Sequence, residues 1–384
     1  MQTQVARVSI IVPTFNRAHY LGQCLESLIA QTVPAHEIIV VDDGSEDDTE
    51  SVVARYVPQV TYLRKVNGGK ASALNFGIAR STGNLIWVFD DDDAAFPDAI
   101  EHRLAIWRVD PAAGFVYGPH SIVMEGSDGI LHQVGENWPS SYDNDTFFLY
   151  LLRDCFFHLN SCLFRRTVFD AVQGFDEHLK RAQDYDFQIR MVRAFRGVLA
   201  TKPVFAFRRH DGLRGDQSTR HRAEERSNVF VTFDRLVGKK IRSELSLGEY
   251  LCPPRRSVLS SSERITALLS RMVVMGSKGY IEALSDDLVD AVQSMDALGI
   301  RMRESERELI RTAMCQGYSP VVIDQQWHVF VDCMRQLRSY KHGWQVRMEL
   351  AKGLVRLARS YPNPWRFRLR ILLRAVQIGT GLIR

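Results

Sequence analysis

The chain lacks the usual staples and anchors. Its six cysteines are Cys24, Cys155, Cys162, Cys252, Cys315 and Cys333, and none forms CxxC or joins histidine at zinc spacing. That leaves no zinc-finger type of site and favours free thiols in a reducing compartment over a disulfide framework. No stretch approaches the ~20 apolar residues that a spanning helix needs. The opening residues, MQTQVARVSIIVPTF, hold no apolar run long enough for a signal peptide. The expectation is a cytoplasmic protein, soluble or peripheral on the inner face of a membrane. Repeats and low-complexity tracts are absent as well. A chain of 384 residues fits about two domains.

Acids are scarce in one region. Residues 341–384 hold ten Lys/Arg and a single acid, Glu349, a local charge of +9 against +4 for the whole, which leaves −5 elsewhere. An acidic body with a basic tail suggests that the tail meets something anionic. No nucleic-acid partner is expected, because no reading module accompanies the charge.

Short apolar runs alternate with helical patterns over the first ninety residues. VSIIV at 8–12 reads as a strand stopped by Pro13, which cannot donate to a ladder. Leu21, Leu25, Leu28 and Ile29 then fall at helical spacing. EIIVV at 37–41, VTYLRK at 60–65 and NLIWVFD at 84–90 read as further strands. SEDDTESVVARY and SALNFGIARS read as the helices between them. Nearly all-apolar strands alternating with helices predict a parallel sheet covered on both faces. Beyond residue 115, YGPH, DGILHQ and NWPSSYDND read as loops, SCLFRRTVFDAV as strand into helix, and DYDFQIRMVRAF as helix. From about 222 only helices are expected, with CPPRR at 252–256 as a linker. The division expected is 1–220 as an α/β domain and 221–384 as a helical region.

The run FDDDDAAF at 89–96 sets four carboxylates where a buried strand should end. Ligands of open α/β sheets bind at the carboxyl ends of strands, and polar clusters stand at three such ends: PTFNR, DDGS and DDDD. In an extended chain Asp90 and Asp92 point the same way. Their repulsion calls for a compensating cation, with Mg2+ or Mn2+ the natural choice. The plainer alternative is a solvated acidic turn capping a helix near Pro97.

The order and spacing of these pieces resemble the family-2 glycosyltransferases, inverting nucleotide-sugar enzymes with the A-type fold. The resemblance covers residues 7–215, through VSIIVPTFNRAHYLGQCLESLIAQT, EIIVVDDGSEDDT, NGGKASALNFGIARSTGNLIWVFDDDDAAFPDAI, VQGFDEHLKRAQDYDFQIRM and FRRHDG. It implies a Rossmann-like, mostly parallel nucleotide-sugar-binding sheet. Asp90-x-Asp92 is similar to the DxD motif, which implies that Asp92 ligates a metal on the donor diphosphate, with Asp90 and Asp91 near the ribose or supporting the metal. The resemblance further implies nucleotide contacts from Pro13, Thr14 and Asn16, from Asp43 to the nucleobase imide, and from the segment Lys70 to Asn75. KASALN is similar to the KAGALN-type segment of relatives that use UDP-sugars, with Leu74 where many others carry arginine. His210 matches a histidine by the diphosphate or metal. Asp184 matches the base that deprotonates the acceptor, and Gly174–Glu177 the acceptor-side GGFDE loop, with Gln173 in place of its first glycine.

The chemistry stands without the family. A divalent ion neutralises charge on a leaving diphosphate, and a carboxylate takes the proton of the attacking hydroxyl. Asp184 alone could equally favour a first helical turn; Asp186 could face solvent or pair with Arg190. Arg208, Arg209 and His210 together could attract phosphate. The partners expected are a nucleotide-sugar donor, most simply a UDP-sugar, and a glycan or lipid-linked sugar acceptor. The QxxRW motif and membrane helices of processive synthases are lacking, which implies transfer of one or a few sugars. Two other readings remain: a catalytically inactive nucleotide-sugar or glycan-binding module, and a nucleotidyltransferase. The second would want a Gly-rich basic loop near residue 12, where PTFNRAHY stands. Last, WRFRLRILLRAVQI at 365–378 repeats arginine at 366, 370 and 374, beside an apolar face of Trp365, Leu369, Leu372, Leu373 and Val376. Such a helix could lie on an anionic membrane surface or pack against the helical region.

Overall fold

The computed structural model describes residues 5–140, 142–210, 226–254, 257–318, 322, 325–360 and 365–380. It forms two compact units, Met1–Ser141 with Cys155–Val229, and Tyr142–Asp154 with Phe230–Arg384. The expected boundary at 220–221 lies outside the described residues.

The first unit is built on a seven-stranded sheet. In chain order its strands are β1 (Val8–Thr14), β2 (Glu37–Asp42), β3 (Thr61–Arg64), β4 (Leu85–Val88), β6 (Phe115–Tyr117), β9 (Leu163–Arg165) and β10 (Gly197–Leu199). Their order in space is β10-β6-β9-β4-β1-β2-β3, parallel except for β9, which runs against both its neighbours. Strand β1 continues past the expected stop at Pro13, pairing Pro13 with Val41 and Thr14 with Asp42. The reason is one of sides. The Ile11 carbonyl faces β4 and that of Thr14 faces β2, so by alternation Pro13 turns its missing donor toward β4. There the pairing has already ended, at Ile11 with Val88.

Both faces of the sheet are covered, as expected. On one face Ile10, Val12 and Trp87 pack with Leu21, Leu25 and Leu28 of α1 (Ala18–Ile29). On the other, α3 (Lys70–Arg80) lies so close that a Cβ on Gly77 would sit 2.6 Å from Ile11 Cγ2 and 2.8 Å from Val41 Cγ2. Helix α2 (Thr49–Ala54) is shorter than its pattern suggests. Asp42 Oδ1 first accepts from the Ser45 amide (2.7 Å) and Asp47 Oδ1 from the Thr49 hydroxyl (2.5 Å), which spends residues 42–48 on turns. The sheet reverses its winding between β1 and β4, and the loops after these strands flank the crevice where α/β sheets take ligands.

A second sheet was not legible as such. Strands β5 (Ala94–Ala95), β7 (His120–Glu125), β8 (Leu131–Asn137) and β11 (Phe205–Arg208) assemble in the order β5-β11-β7-β8. DGILHQ is therefore a hairpin turn entering β8, not a loop. This strand is exposed along nearly its whole length, so it carries no apolar alternation. The pairing of β11 with β5 returns Arg208 to the acidic run just before β5.

Among its described residues the second unit holds helices and no strand. Helix α5 (Asn144–Arg153) belongs to it, although the surrounding chain belongs to the first unit. The Asp143 carboxylate caps α5 by accepting from the Thr146 amide at 2.8 Å. Its other described α-helices include α8 (Arg226–Glu244), α9 (Ser261–Ser277), α10 (Ile281–Leu298), α11 (Glu304–Ala313), α12 (Trp327–Gln336), α13 (Gly343–Ser360) and α14 (Trp365–Thr380). Buried Asp287 of α10 ties three of them, accepting from Arg271 of α9 (2.7 and 3.0 Å) and Arg242 of α8 (2.6 Å). No described helix is long and apolar enough to cross a membrane, and all six cysteines are free.

Candidate active site

Strand β4 ends at Val88, and the acidic run forms a turn rather than an extension of it. The Asp93 amide donates to the Asp90 carbonyl at 3.3 Å. The simple alternation expected for Asp90 and Asp92 therefore does not apply. The turn does better: Asp90, Asp92 and Asp93 bring carboxylate oxygens within 4.8 Å of one another.

Four buried or half-buried acids in one turn demand compensating partners, and the chain supplies both cations and neutral hydrogen-bond donors. The Arg17 guanidinium, entering α1, donates from Nη1 to Asp91 Oδ1 (3.1 Å) and Asp92 Oδ2 (2.5 Å). Lys70, the first residue of α3, pairs with Asp90. His210 Nε2 lies 3.1 Å from Asp92 Oδ2. Asp93 accepts from Asn160 Nδ2 (2.6 Å) and from the Arg208 amide (2.9 Å). These environments split the four acids. Burial pushes Asp93 well above the usual carboxylate range, with repulsion from Asp92 and Asp90 adding to it. Burial also raises Asp91, to about 6, against the pull of Arg17. For Asp92 burial is outweighed by His210, Arg17 and Lys70, which hold it far below its usual value.

Arg208 is not a phosphate-attracting cation. It is buried, donating Nε to the Asp92 carbonyl (3.0 Å) and Nη1 to Glu125 (3.2 Å), with Gln23 as a further partner.

The donor-side candidates from the sequence lie around the same crevice. Pro13 and Thr14 are buried at the end of β1. Asn16, at φ 53°, accepts from the Glu46 amide through Oδ1 (2.8 Å) and donates its own amide to the Ser45 hydroxyl oxygen (2.9 Å). That staples the loop after β1 to the loop after β2. Asp43 gathers the segment before α3, accepting from Lys65 Nζ (2.8 Å) and the amides of Gly68 (3.0 Å) and Gly69 (2.7 Å). Gly69 caps α3 at φ 90°, which only glycine adopts without strain. Asn75 reaches the loop at 174–177: its Nδ2 donates to the Phe175 carbonyl and to Glu177, and its Oδ1 accepts from the Phe175 amide, all at 2.9 Å. Gly174 must be glycine there, since a Cβ would sit 2.6 Å from Asn75 Oδ1. Its neighbour Gln173 is left-handed at φ 59°, the conformation a glycine in that position would take more readily.

Asp184 stands half-buried in the first turn of α7 (Gln183–Ala194). The residue at the helix start is Ala182, which has no capping side chain. Asp186 does not face solvent. It is buried and paired with Arg190 at 2.7 Å, and that guanidinium also donates to the Gly174 carbonyl at 2.9 Å. Asp184 is thus the acid of the pair left facing the crevice groups. Desolvation pulls the Lys70 ammonium down, and Asp90, Asp184 and Asp92 together hold it above its usual value.

Sequence reasoning passed over Arg17, Asn160 and His158. Arg17 stood inside PTFNR, where its charge opposite four aspartates was the available signal. His158 precedes the short 3-10 turn Leu159–Ser161. Its ring lies 5.5 Å from that of Phe205 and 5.8 Å from that of His120. Burial lowers it, while Asp90, Asp184 and Asp92 act in the opposite direction. Nothing in HLNS marks it.

Comparison with known proteins supplies the context. Residues 9–173 match the family model described as Glycosyl transferase family 2. An uncharacterized glycosyltransferase of Rickettsia prowazekii is 35% identical over 187 residues, 48% of this chain and 58% of that protein. The hyaluronan synthase of Pasteurella multocida is 32% identical over 191 residues, 49% of this chain and 19% of that one. The chain therefore spans less than two-thirds of the curated relatives it matches. The crystal structure of S. aureus TarS 1–349 in complex with UDP-GlcNAc superposes with a TM-score of 0.51 at 19% identity, covering 86% of this chain and 92% of that one. This likeness speaks for the fold, an α/β sheet domain followed by helices.

Proposed function

We propose, from the match of residues 9–173 to the Glycosyl transferase family 2 model, that the protein moves a sugar from a nucleoside-diphosphate donor to a hydroxyl of a glycan or lipid-linked acceptor, with inversion and without processive elongation. The observation that carries this reading is the charge grouping at the β1/β4 crevice. Three acidic oxygens converge within 4.8 Å, and Asp184 acts on the same lysine that pairs with Asp90.

In this reading Asp184 accepts the proton of the acceptor hydroxyl as its oxygen attacks the anomeric carbon. The bond from that carbon to the diphosphate breaks on the opposite face. General-base help of this kind is worth about 10²–10⁴-fold. The turn suits a hard divalent cation, Mn2+ or Mg2+, because its donors are carboxylate oxygens gathered at one point. Asp92 and His210 would hold the ion, with Asp90 and Asp91 in support. When bound it would supply Lewis-acid neutralisation of the departing diphosphate. Arg17 and Lys70 balance the acids beside it. Pro13, Thr14, Asn16 and Asp43 frame the nucleoside side. Asn75 acts by positioning the 174–177 loop, where the acceptor would lie. KASALN favours a UDP-sugar. A catalytic sheet unit and a helical unit that takes in 142–154 as well as 230–384, in place of the expected break at 220–221, belong to this reading, as does contact of 365–378 with an anionic membrane on the cytoplasmic side.

The test is thermal unfolding with UDP, GDP, dTDP and CMP, each with Mn2+ and with EDTA. A ligand that binds only the folded state, at about 100 times its Kd, adds about 2.7 kcal/mol. A Mn2+-dependent shift with UDP, lost in Asp92→Ala, is expected. No shift with any nucleotide would overturn the reading. A shift with no turnover of any UDP-sugar, even to hydrolysis, would favour the inactive binding module.

A further inference from the structure

Helix α14 uses a different face from the one its sequence advertises. The stripe that packs is Ile371, Ala375 and Ile378, all buried, and the partner is α13. Leu369, Leu372, Leu373 and Val376 remain 39–57% exposed. The side chains of Trp365 and Arg366 lie outside the described residues. At about 100° per residue, the four exposed apolar positions share an arc of roughly 100° directed away from α13. Arg368 falls on one flank of this arc and Arg370 on the other, both exposed; Arg374 lies further round, its guanidinium 4.3 Å from the centroid of the Trp327 ring.

The neighbouring helix adds to the same side. A Cβ on Gly379 would meet Met348 Sδ at 3.6 Å, so Met348 adjoins the far end of α14. Met348 is 37% exposed, and Trp344, one turn earlier on α13, is 59% exposed. Apolar side chains scattered singly over a surface need no explanation, but a stripe bordered by a bulky aromatic does.

The geometry points to a two-helix docking surface for an anionic lipid bilayer, with α14 lying in the plane of the interface. Charge complementarity selects this occupant. The stripe stands between Arg368 and Arg370, in a stretch where ten Lys/Arg outnumber one acid; two of the ten are engaged in ion pairs, Lys352 with Glu349 and Arg356 with Glu308, which leaves the excess positive. A second copy of the chain would bring the same positive charge against itself. A lipid surface takes the apolar arc into its acyl boundary while its phosphates meet the flanking arginines. This deepens the reading of a lipid-linked acceptor and takes its purpose from it, but the binding itself requires no sugar transfer.

The experiment is co-sedimentation of the full chain with vesicles of phosphatidylglycerol and phosphatidylcholine, against phosphatidylcholine alone. Binding to the first and not the second is expected. The double variant Leu373→Glu/Val376→Glu should reduce binding at least about tenfold, and Arg370→Gln about fivefold. Both sites are exposed, so the melting temperature should hold, and the UDP response measured without vesicles should be unchanged. Absence of vesicle binding overturns the proposal. So does equal binding by the double variant, or a dimer seen by analytical ultracentrifugation that the double variant dissolves. Loss of the UDP response in the unaltered chain would instead strike the glycosyltransferase reading and leave this one standing.

Discussion

Replacing Arg17 by glutamine tests how the acidic turn is balanced. Arg17 places one nitrogen 3.1 Å from Asp91 and 2.5 Å from Asp92, and its side chain is only 23% exposed. Hydrogen bonds to charged groups contribute about 1.5–3 kcal/mol each. Two of them give an upper figure of about 6 kcal/mol. The carboxylates can relax, however, by taking a proton at Asp91, which already lies high at about 6, so a loss of about 2–4 kcal/mol is the working estimate. For a domain of this size, that corresponds to a fall of roughly 5–15 °C in Tm. The fall should be measured by differential scanning fluorimetry in EDTA, then repeated in millimolar Mn2+. A divalent cation supplies the missing positive charge at the same oxygens, so Mn2+ should restore most of the loss and stabilise the variant more than the parent. A variant that melts with the parent in EDTA would show that the Arg17 pair contributes nothing. A full loss that Mn2+ leaves untouched would show that arginine and metal do not answer the same carboxylates, and the cation reading of the turn would fail.

Other outcomes follow from the same geometry. Asp184→Asn should lower transfer by about 10²–10⁴-fold while leaving the UDP-induced melting shift intact; a loss of UDP binding would assign Asp184 to the donor side. Asn75→Ala removes three hydrogen bonds to the 174–177 loop. It should raise the acceptor KM more than the donor KM, and an equal rise in both would refute the positioning role. His120 is pushed down to about 4 by burial, with His158 adding. The unfolded chain therefore binds a proton from about pH 6.5 downward while the native one resists until about 4. Stability should fall by up to about 3 kcal/mol across that window, and urea melts of His120→Phe should show a shallower slope; an unchanged slope would place the titration elsewhere.

The legible part of the fold was the part under a simple rule. Strands β1, β2 and β4 are buried on both faces, so they read as unbroken apolar runs, and the polar clusters after them marked the crevice correctly. Strand β8 is exposed on both sides and left no pattern. Helix α5 began two residues after a tyrosine in a stretch rich in Ser, Asp and Asn, which masked its start. The acids of the site were visible as a charge anomaly. Of their partners Lys70 and His210 were singled out, but the pairings of Arg17, Asn160 and Arg208 were not, because these reach the turn from three distant parts of the chain and only tertiary pairing reveals that. On α14 the apolar periodicity was read from Trp365, Leu369, Leu372, Leu373 and Val376, whereas the residues that are buried are Ile371, Ala375 and Ile378.

Helix α5 carries a consequence for how such a protein can be divided or recombined. Phe147, Phe148, Leu149, Leu151 and Leu152 are buried, in a helix that belongs with α8–α14 although the sheet domain's chain runs on both sides of it. Cutting the gene after the sheet domain would leave this helix behind without its partners, an apolar segment stranded in the middle of an otherwise complete domain. The helical unit is therefore no detachable cassette. A chimera that exchanged residues 230–384 would have to exchange 142–154 with them, so the two stretches should be inherited, and should vary, together.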